Sequence, residues 1–401
     1  MFTKVLIANR GEIAVRIART CRELGIATVA VYSTADHDSA VVRLADESVH
    51  IGPPAARRSY LSIPSIIEAA RATGADAVHP GYGFLSEDPD FAEVCADDGL
   101  VFIGPRPAVM KALGDKATTR ALMRDAGLPL LPGTVKPVST VSEALAATAE
   151  FGFPVILKAV AGGGGRGMTI VHRREDLATA FQRTRAIAAA VFGDGRVYLE
   201  RYLAGARHVE IQLLCDEHGN GVYLGDRDCS AQRRHQKLVE EAPAPDLPDA
   251  TRVAMGEAAV AGALAVGFTG AGTMEFLVDT DGGFFMMEMN ARLQVEHPVT
   301  EMVTGVDLVE QQIRVAEGGV LPFGQSDVEI RGVAIECRIN AEDPGRGFQP
   351  TPGRLDRFLL PGGAFTRVDT HAFAGYVVPP HYDSLLAKLV VWAPDRPAAG
   401  A

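Results

Sequence analysis

The sequence predicts a mixed architecture: a doubly wound α/β domain at the N-terminus, followed by an α+β region that ends in a mainly antiparallel sheet. Three patterns carry that prediction. Residues 4–35 read as strand, helix, strand (VLIAN, EIAVRIARTCREL, ATVAVYS), and such alternation gives parallel strands covered by helices. From residue 204 the pattern changes to long hairpins, HVEIQLLCDEHGNGVYLGDRD turning at residues 219–221 and TMEFLVDTDGGFFMMEMN turning at residues 281–283. Between the two regions, KAVAGGGGRGM separates the strand-like runs FPVILKAV and MTIVH.

Taken in order, the first turn, ANRGEI, is not GxGxxG, so a dinucleotide-binding Rossmann domain is unsupported although the doubly wound layout holds. The strand-helix beat recurs in SIPSIIEAARATG with ADAVHPGYG, then in DPDFAEVCADDG with LVFIGP. Residues 106–127 read as one helix closed by Gly127, with Lys116 inside it and LPLLPG as a connector. Residues 134–203 form a small α/β unit around the glycine run, and residues 331–392 are strand-rich again. The expected domains are 1–114, 115–330 with a lid at about 134–203, and 331–401.

With 401 residues, 47% hydrophobic and 22% charged, the chain can bury two or three domain cores. A net charge of −11 argues against nucleic acid, which leaves a basic footprint on its partners. The five cysteines are odd in number, scattered, and never form CxxC, so neither disulfides nor a zinc site are expected. No run approaches the roughly 18 apolar residues of a membrane span, and MFTKVLIANRGEIAVRI lacks a signal-peptide pattern. A cytoplasmic location is expected, with no membrane partner.

Ordering a run of glycines is entropically expensive. Successive amides freed of Cβ atoms can, however, close on an anion, and Lys158 and Arg166 add positive charge to that cradle. A strand follows Gly167, so the loop is not a P-loop; it is either a strand-loop-strand clasp over phosphates or slack. In the second hairpin, Glu275 lies on one strand with Glu288 and Asn290 on the other, a hard-oxygen set suited to Mg²⁺. Alternation puts Met287 and Met289 on the opposite, core-facing side. Next come Arg292, Gln294 and Glu296 at alternate positions, able to hold a small oxyanion and take its proton, or to form a solvent-facing salt-bridged strand. DCSAQRRHQK gathers Gln232, Arg233, Arg234, His235 and Lys237 into a basic patch, and Arg338 sits on the expected strand VAIECRI. His208 alone reads as a structural histidine, and Tyr82 with Gly83 as a tight loop at a strand end, where open α/β sheets bind ligands.

The ordered set IANRGEIAVRI, HPGYGFLSE, GDK, KAVAGGGGRGM, RHVEIQ, DCSAQRRHQK, TMEFL, EMNARLQVEHPVTE and ECRINAEDP resembles biotin carboxylase, the ATP-grasp component of biotin-dependent carboxylases, from residue 1 to about 390. The resemblance implies an ATP-grasp fold with a mobile lid, ATP and Mg²⁺ (or Mn²⁺) as cofactors, and biotin as carrier-bound substrate. By that resemblance Lys116, Lys158, Gly162, Gly163, Gly164, Gly165, Arg166, Gly167 and Met168 contact the ATP phosphates. Glu200 and Leu203 hold adenine, and His208, Gln232 and His235 surround ribose and phosphates. Glu275, Glu288 and Asn290 bind metal; Lys237, Arg292, Gln294 and Val295 cradle bicarbonate. Glu296 is the base, Arg338 stabilises the biotin enolate, and Tyr82 and Gly83 form part of the biotin pocket.

The partners so implied are a biotin carboxyl carrier protein or domain, a carboxyltransferase, and a second copy in a homodimer, within an acyl-CoA carboxylase. No Met-Lys-Met occurs, so the biotinylated lysine belongs elsewhere. The chain stops at APDRPAAGA, several dozen residues before the family pattern does, as a fragment or a naturally short protein. Two other readings remain open: another ATP-grasp ligase of the carbamoyl phosphate synthetase kind, and a non-catalytic ATP-binding protein.

Overall fold

The computed structural model describes residues 1–134, 136–160 and 167–400, without the side chains of Lys116, Ala117 and Phe192. Its first sheet holds β1 (Lys4–Ile7), β2 (Ala27–Ser33), β3 (Glu47–Gly52), β4 (Ala77–His79) and β5 (Val101–Phe102) in the order β3-β2-β1-β4-β5. All four pairings are parallel. Alternate side chains leave opposite faces, so Leu6, Val29, Val31 and Val78 pack with Ile66 and Phe91, while Val5, Ile7 and Ala30 pack with Ile13 and Ile17 of the Gly11–Glu23 helix. Strand β3, ESVHIG, was not foreseen; it lies at the sheet edge with Glu47, Ser48 and His50 exposed, and its apolar stripe is only two residues long, Val49 and Ile51.

The stretch expected as one helix over 106–127 is two, Pro107–Gly114 and Lys116–Asp125. Asp115 breaks it: its backbone is extended and its carboxylate accepts a hydrogen bond from Thr118 N, an N-cap that starts a new helix. The following unit has β6 (Val155–Ala159), β7 (Met168–Val171) and β8 (Val197–Arg201) in the antiparallel order β7-β6-β8, backed by the Val141–Phe151 and Leu177–Phe192 helices. Lys158 and Met168 pair directly across the hairpin. The loop positions Gly162, Gly163, Gly164, Gly165 and Arg166 lie outside the described residues.

The rest of the chain builds on one eight-stranded antiparallel sheet: β9 (Arg207–Cys215), β10 (Gly221–Arg233), β11 (Gln236–Ala242), β12 (Gly270–Val278), β13 (Phe284–Asn290), β14 (Val333–Asn340), then, past three short strands β15 (Glu342–Asp343), β16 (Gln349–Pro350) and β17 (Gly353–Arg354), β18 (Thr366–Thr370), and past β19 (Val377–Val378), β20 (Leu385–Ala393). Its order is β13-β12-β9-β10-β11-β14-β20-β18. Both expected hairpins form, β9 with β10 and β12 with β13. Because β11 pairs with β14, the sheet runs unbroken from the 115–330 region into the 331–401 region.

Candidate active site

The β12 register aligns Glu275 with Glu210 of β9 and with Glu288 of β13, making a row of carboxylates across three strands. On the other flank, β14 carries Arg338 directly beside Lys388 of β20. This wall, the lid strands and the loop after β4 enclose a cavity of about 1360 Å³. Lys158, Met168, Glu200, Leu203, His208, Gln232, His235, Lys237, Glu275, Glu288, Asn290, Arg292, Gln294, Val295, Glu296, Arg338, Tyr82 and Gly83 all line it. Lys116 opens the helix beside it, but its side chain is outside the described residues.

The centre is a lattice of buried charge. The Lys237 ammonium lies 2.6 Å from Glu210, 3.0 Å from Glu275 and 2.6 Å from Glu296. Glu296 is fully buried, and its second oxygen takes Arg338 Nη2 at 2.9 Å, while Arg338 Nε donates to Glu240 at 2.7 Å. Arg227, with no exposed surface, donates to Glu210, Gln212, Thr273 and Thr300. Burial alone would raise the Glu296 carboxyl, but Lys237, Arg338 and Arg227 hold it well below the usual range. Glu275 likewise falls to about 2 against its own desolvation, through Lys237 and His208. Glu240, where burial wins over Arg338, rises to about 7. The carboxylates facing Lys237 hold its ammonium charged, well above the ordinary lysine range, despite its desolvation.

His208 is no isolated structural histidine. Its Nε2 lies 2.9 Å from Glu275, and Gln232 Nε2 meets its Nδ1 at 2.9 Å. Burial would lower its pKa, but the Glu275 carboxylate raises it overall. The β10–β11 turn is made by Arg234 and His235, both at positive φ (50° and 67°). Such angles suit a tight two-residue hairpin but are costly for side chains other than glycine and asparagine, and strain of this kind concentrates at functional sites. The turn projects this basic segment over the cavity. On the lid, Glu200 pairs with both Lys158 and Arg120.

Two local expectations need correction. Residues 292–296 are an irregular loop, not a strand; Glu296 sits at the N-cap of the His297–Thr304 helix. Loop geometry still turns Arg292, Gln294 and Glu296 to the cavity, with Arg292 Nε 2.8 Å from Glu87 and Gln294 Nε2 3.2 Å from Glu275. Strict alternation also fails in β13. A bulge opposite Glu275 and Phe276 skips Met287, so Met286 and Met289 join the core and Met287 does not. Glu288 at this bulge is exposed, whereas Glu275 is buried.

Sequence reasoning missed Glu87, Glu210, Arg227, Glu240 and Lys388. Glu210, Glu240 and Lys388 lie within or beside apolar runs (VEIQLL, KLVEEA, LLAKLVV), the same signal that singled out Arg338, whereas Glu87 in LSEDP and Arg227 in GDRDC have polar or charged neighbours and carry no such signal. For a hard cation, the donors Glu275, Glu288 and Asn290 are contiguous: the glutamates pair in register and Asn290 Nδ2 donates to Glu275 at 3.0 Å. This carboxylate and amide set fits Mg²⁺ or Mn²⁺ held jointly with phosphate oxygens.

A two-sided clasp, one side the β6–β7 hairpin strands and the other an acidic sheet wall, is the ATP-grasp arrangement, that of an ATP-dependent ligase. Family models match in three consecutive blocks: the biotin carboxylase N-terminal domain over residues 1–110, the ATP-binding domain of the carbamoyl-phosphate synthase L chain over 115–323, and the biotin carboxylase C-terminal domain over 336–401. The chain is 54% identical to the biotin carboxylase of Nostoc sp. over 99% of its own length and 89% of that protein, and 52% identical to biotin carboxylase 1 of Bacillus subtilis over 100% and 89%. Its structure superposes on Campylobacter jejuni biotin carboxylase in complex with β-γ-ATP with a TM-score of 0.94 at 48% identity, covering 100% of this chain and 89% of the other. The biotin carboxylase domain dimer of Hydrogenobacter thermophilus 2-oxoglutarate carboxylase, with MgADP, ADP and bicarbonate, gives 0.93 at 47%, covering 100% and 88%. The chain belongs to the biotin carboxylase family.

Proposed function

We propose that this cavity carboxylates biotin on a carrier protein, consuming ATP and bicarbonate and releasing ADP and phosphate through carboxyphosphate. The observation that carries the reading is the division of Glu296 between Lys237 and Arg338 on the cavity wall, a carboxylate with a cation at each oxygen. A carboxylate so clamped is ionised but a weak base. Incoming bicarbonate competes for Lys237, Arg292 and Gln294, which loosens the clamp, raises the basicity of Glu296 and lets it take the bicarbonate proton. The freed oxygen attacks the γ-phosphate, a step that rests on positioning and charge stabilisation.

The lid residues Lys158, Gly162, Gly163, Gly164, Gly165, Arg166, Gly167 and Met168, with Lys116, cover the phosphates and exclude the water that would hydrolyse the intermediate. Glu200 and Leu203 border the base, and His208, Gln232 and His235 the sugar and phosphates. Glu275, Glu288 and Asn290 would hold the divalent ion, which neutralises phosphate charge. Decomposition of carboxyphosphate gives CO₂ and a phosphate that removes the ureido proton. Arg338, released from Glu296, stabilises the enolate, beside a pocket edged by Tyr82 and Gly83.

The partners proposed are a biotin carboxyl carrier protein or domain, a carboxyltransferase that passes the carboxyl group to an acyl-CoA, and a second copy of the chain in a homodimer. Five free cysteines and the absence, among the described residues, of a helix long and apolar enough to cross a membrane support a reducing, cytoplasmic setting. ADP release measured with bicarbonate, with and without biotin, tests the reading. Biotin-stimulated, bicarbonate-dependent release is expected; release indifferent to biotin would point to another ATP-grasp ligase.

A further inference from the structure

Lys388 stands apart from the residues given roles above. It lies in the apolar strand β20, LLAKLVVWA, and its side chain has no exposed surface. An ammonium in such a place must be matched by acceptors or be expelled by its own desolvation. Its register partners are Arg338 on β14 and Asp369 on β18. Its Nζ does two things: it donates to the backbone carbonyl of Val295 at 2.9 Å, and it lies 3.0 Å from Glu12 Oε1 in the first turn of the Gly11–Glu23 helix. The Tyr82 hydroxyl donates to that same Glu12 oxygen, and the Tyr82 ring centroid is 5.9 Å from Nζ.

The preceding peptide is held in parallel. His297 Nδ1 meets the Gln294 carbonyl at 2.7 Å. Burial, with the nearby charges of Lys388, Arg16 and Arg367, keeps that imidazole neutral, so it donates from Nδ1. Two consecutive carbonyls, Gln294 and Val295, are therefore gripped from behind the loop, which fixes both peptide planes. The Gln294 and Glu296 side chains are left facing the cavity.

We infer that Lys388, backed by Glu12, is a positioning residue: it sets the loop that carries Gln294, Val295 and Glu296 and refers that loop to Tyr82 through one shared carboxylate oxygen. The inference rests on the assignment of that loop to bicarbonate and of Tyr82 to biotin. Its physical content is that the two acceptor-side walls are located against each other through the interior, independently of the lid and the nucleotide side. A shift of about 1 Å in such a loop can reduce rate by about a hundredfold, and a buried ammonium on a backbone carbonyl is a stiffer restraint than a neutral donor.

The test uses the full chain. Lys388→Met should raise the Michaelis constant for bicarbonate about tenfold or more and depress biotin-stimulated turnover, with the ATP dissociation constant, measured by direct titration, within about twofold of the unsubstituted chain. Glu12→Gln keeps shape and an acceptor oxygen, so it should move bicarbonate in the same direction by about threefold, and less when added to Lys388→Met than alone. An unchanged bicarbonate constant in folded Lys388→Met overturns the inference, as does a parallel loss of ATP affinity, which would mean only a general structural role. If Lys388→Met does not fold, Glu12→Gln decides alone, and an unchanged bicarbonate constant there is equally fatal. Lack of bicarbonate-dependent ADP release in the unsubstituted chain overturns the functional reading and this inference with it; normal release there with unmoved variants overturns the inference alone.

Discussion

Two buried charge clusters of similar chemistry lie on the large sheet and its neighbours, and only one borders the cavity. In the first, Lys237, Arg338 and Arg227 share Glu210, Glu240, Glu275 and Glu296. In the second, Arg16 of the Gly11–Glu23 helix pairs with Glu301 at 2.9 Å and Asp307 at 2.8 Å, and Arg367 of β18 pairs with Glu301 and Asp369, both at 2.7 Å. None of the residues in this second set lines the cavity. The second cluster stitches a helix of the first domain to the His297–Thr304 helix and to β18. Burial and ion pairing are therefore common to structure and chemistry; what separates them is whether a ligand can reach a partner and take its place.

The largest way to break the comparison is Glu296→Gln. The carboxamide keeps the volume and an acceptor for Arg338 but cannot take a proton. Bicarbonate-dependent ADP release should fall by up to about 10⁴-fold, the upper range for general base catalysis, while nucleotide affinity is kept. Retained turnover would remove Glu296 from the role of base and make the cavity cluster as structural as its neighbour.

Next in size is Glu301→Ala, which deprives both Arg16 and Arg367 of a buried partner. Breaking a buried pair on one side destabilises by about 3–5 kcal/mol. Thermal or denaturant unfolding should show that loss, with Michaelis constants for ATP and bicarbonate little changed below the transition. A large shift in either constant would mean that the stitching cluster reaches the chemistry after all.

The same distinction explains what could be read from the sequence. The parallel sheet, both long hairpins and the lid strands follow from apolar period and turn residues, which local sequence encodes directly. Arg338 was found because a lone cation in VAIECRI needs a partner, and LLAKLVVW makes the same demand at Lys388, so the signal was present there too. The β13 bulge was not legible: alternation assumes an unbroken ladder, and one skipped residue reverses the facing of everything beyond it. Nor could spacing i, i+2 distinguish a strand from the loop at 292–296, since both turn alternate side chains to one side. Asp115, by contrast, is a recognisable N-cap after Gly114, masked because helix-forming residues continue on both sides of it, AVMKAL before and KATTRALMR after. That Glu210 and Glu275 meet Lys237 is set by long-range register across β12, β9, β10 and β11, and no local pattern carries that.

The finest separation of the clusters is by pH, because two of their carboxyl groups are displaced in opposite directions. Glu240, in the cavity cluster, is raised by burial, against Arg338, from 4.5 to about 7. The folded chain then holds a proton the unfolded chain has lost, so its contribution is full below about pH 4.5 and disappears as pH rises through 7. Asp369, in the stitching cluster, is brought from 3.8 to about 2 by Arg367 in spite of its burial. Its contribution is present above pH 3.8 and is lost as pH falls through 2. Glu240→Gln should therefore flatten the stability profile between about pH 4.5 and 7, by on the order of 3 kcal/mol. Asp369→Asn should leave that window alone and flatten only the acid limb, between about pH 3.8 and 2, by on the order of 2 kcal/mol. Denaturant unfolding across both windows checks the pair. If Asp369→Asn changed the neutral window instead, the two clusters would be one electrostatic unit through Lys388, whose neighbours on β14 and β18 are Arg338 and Asp369.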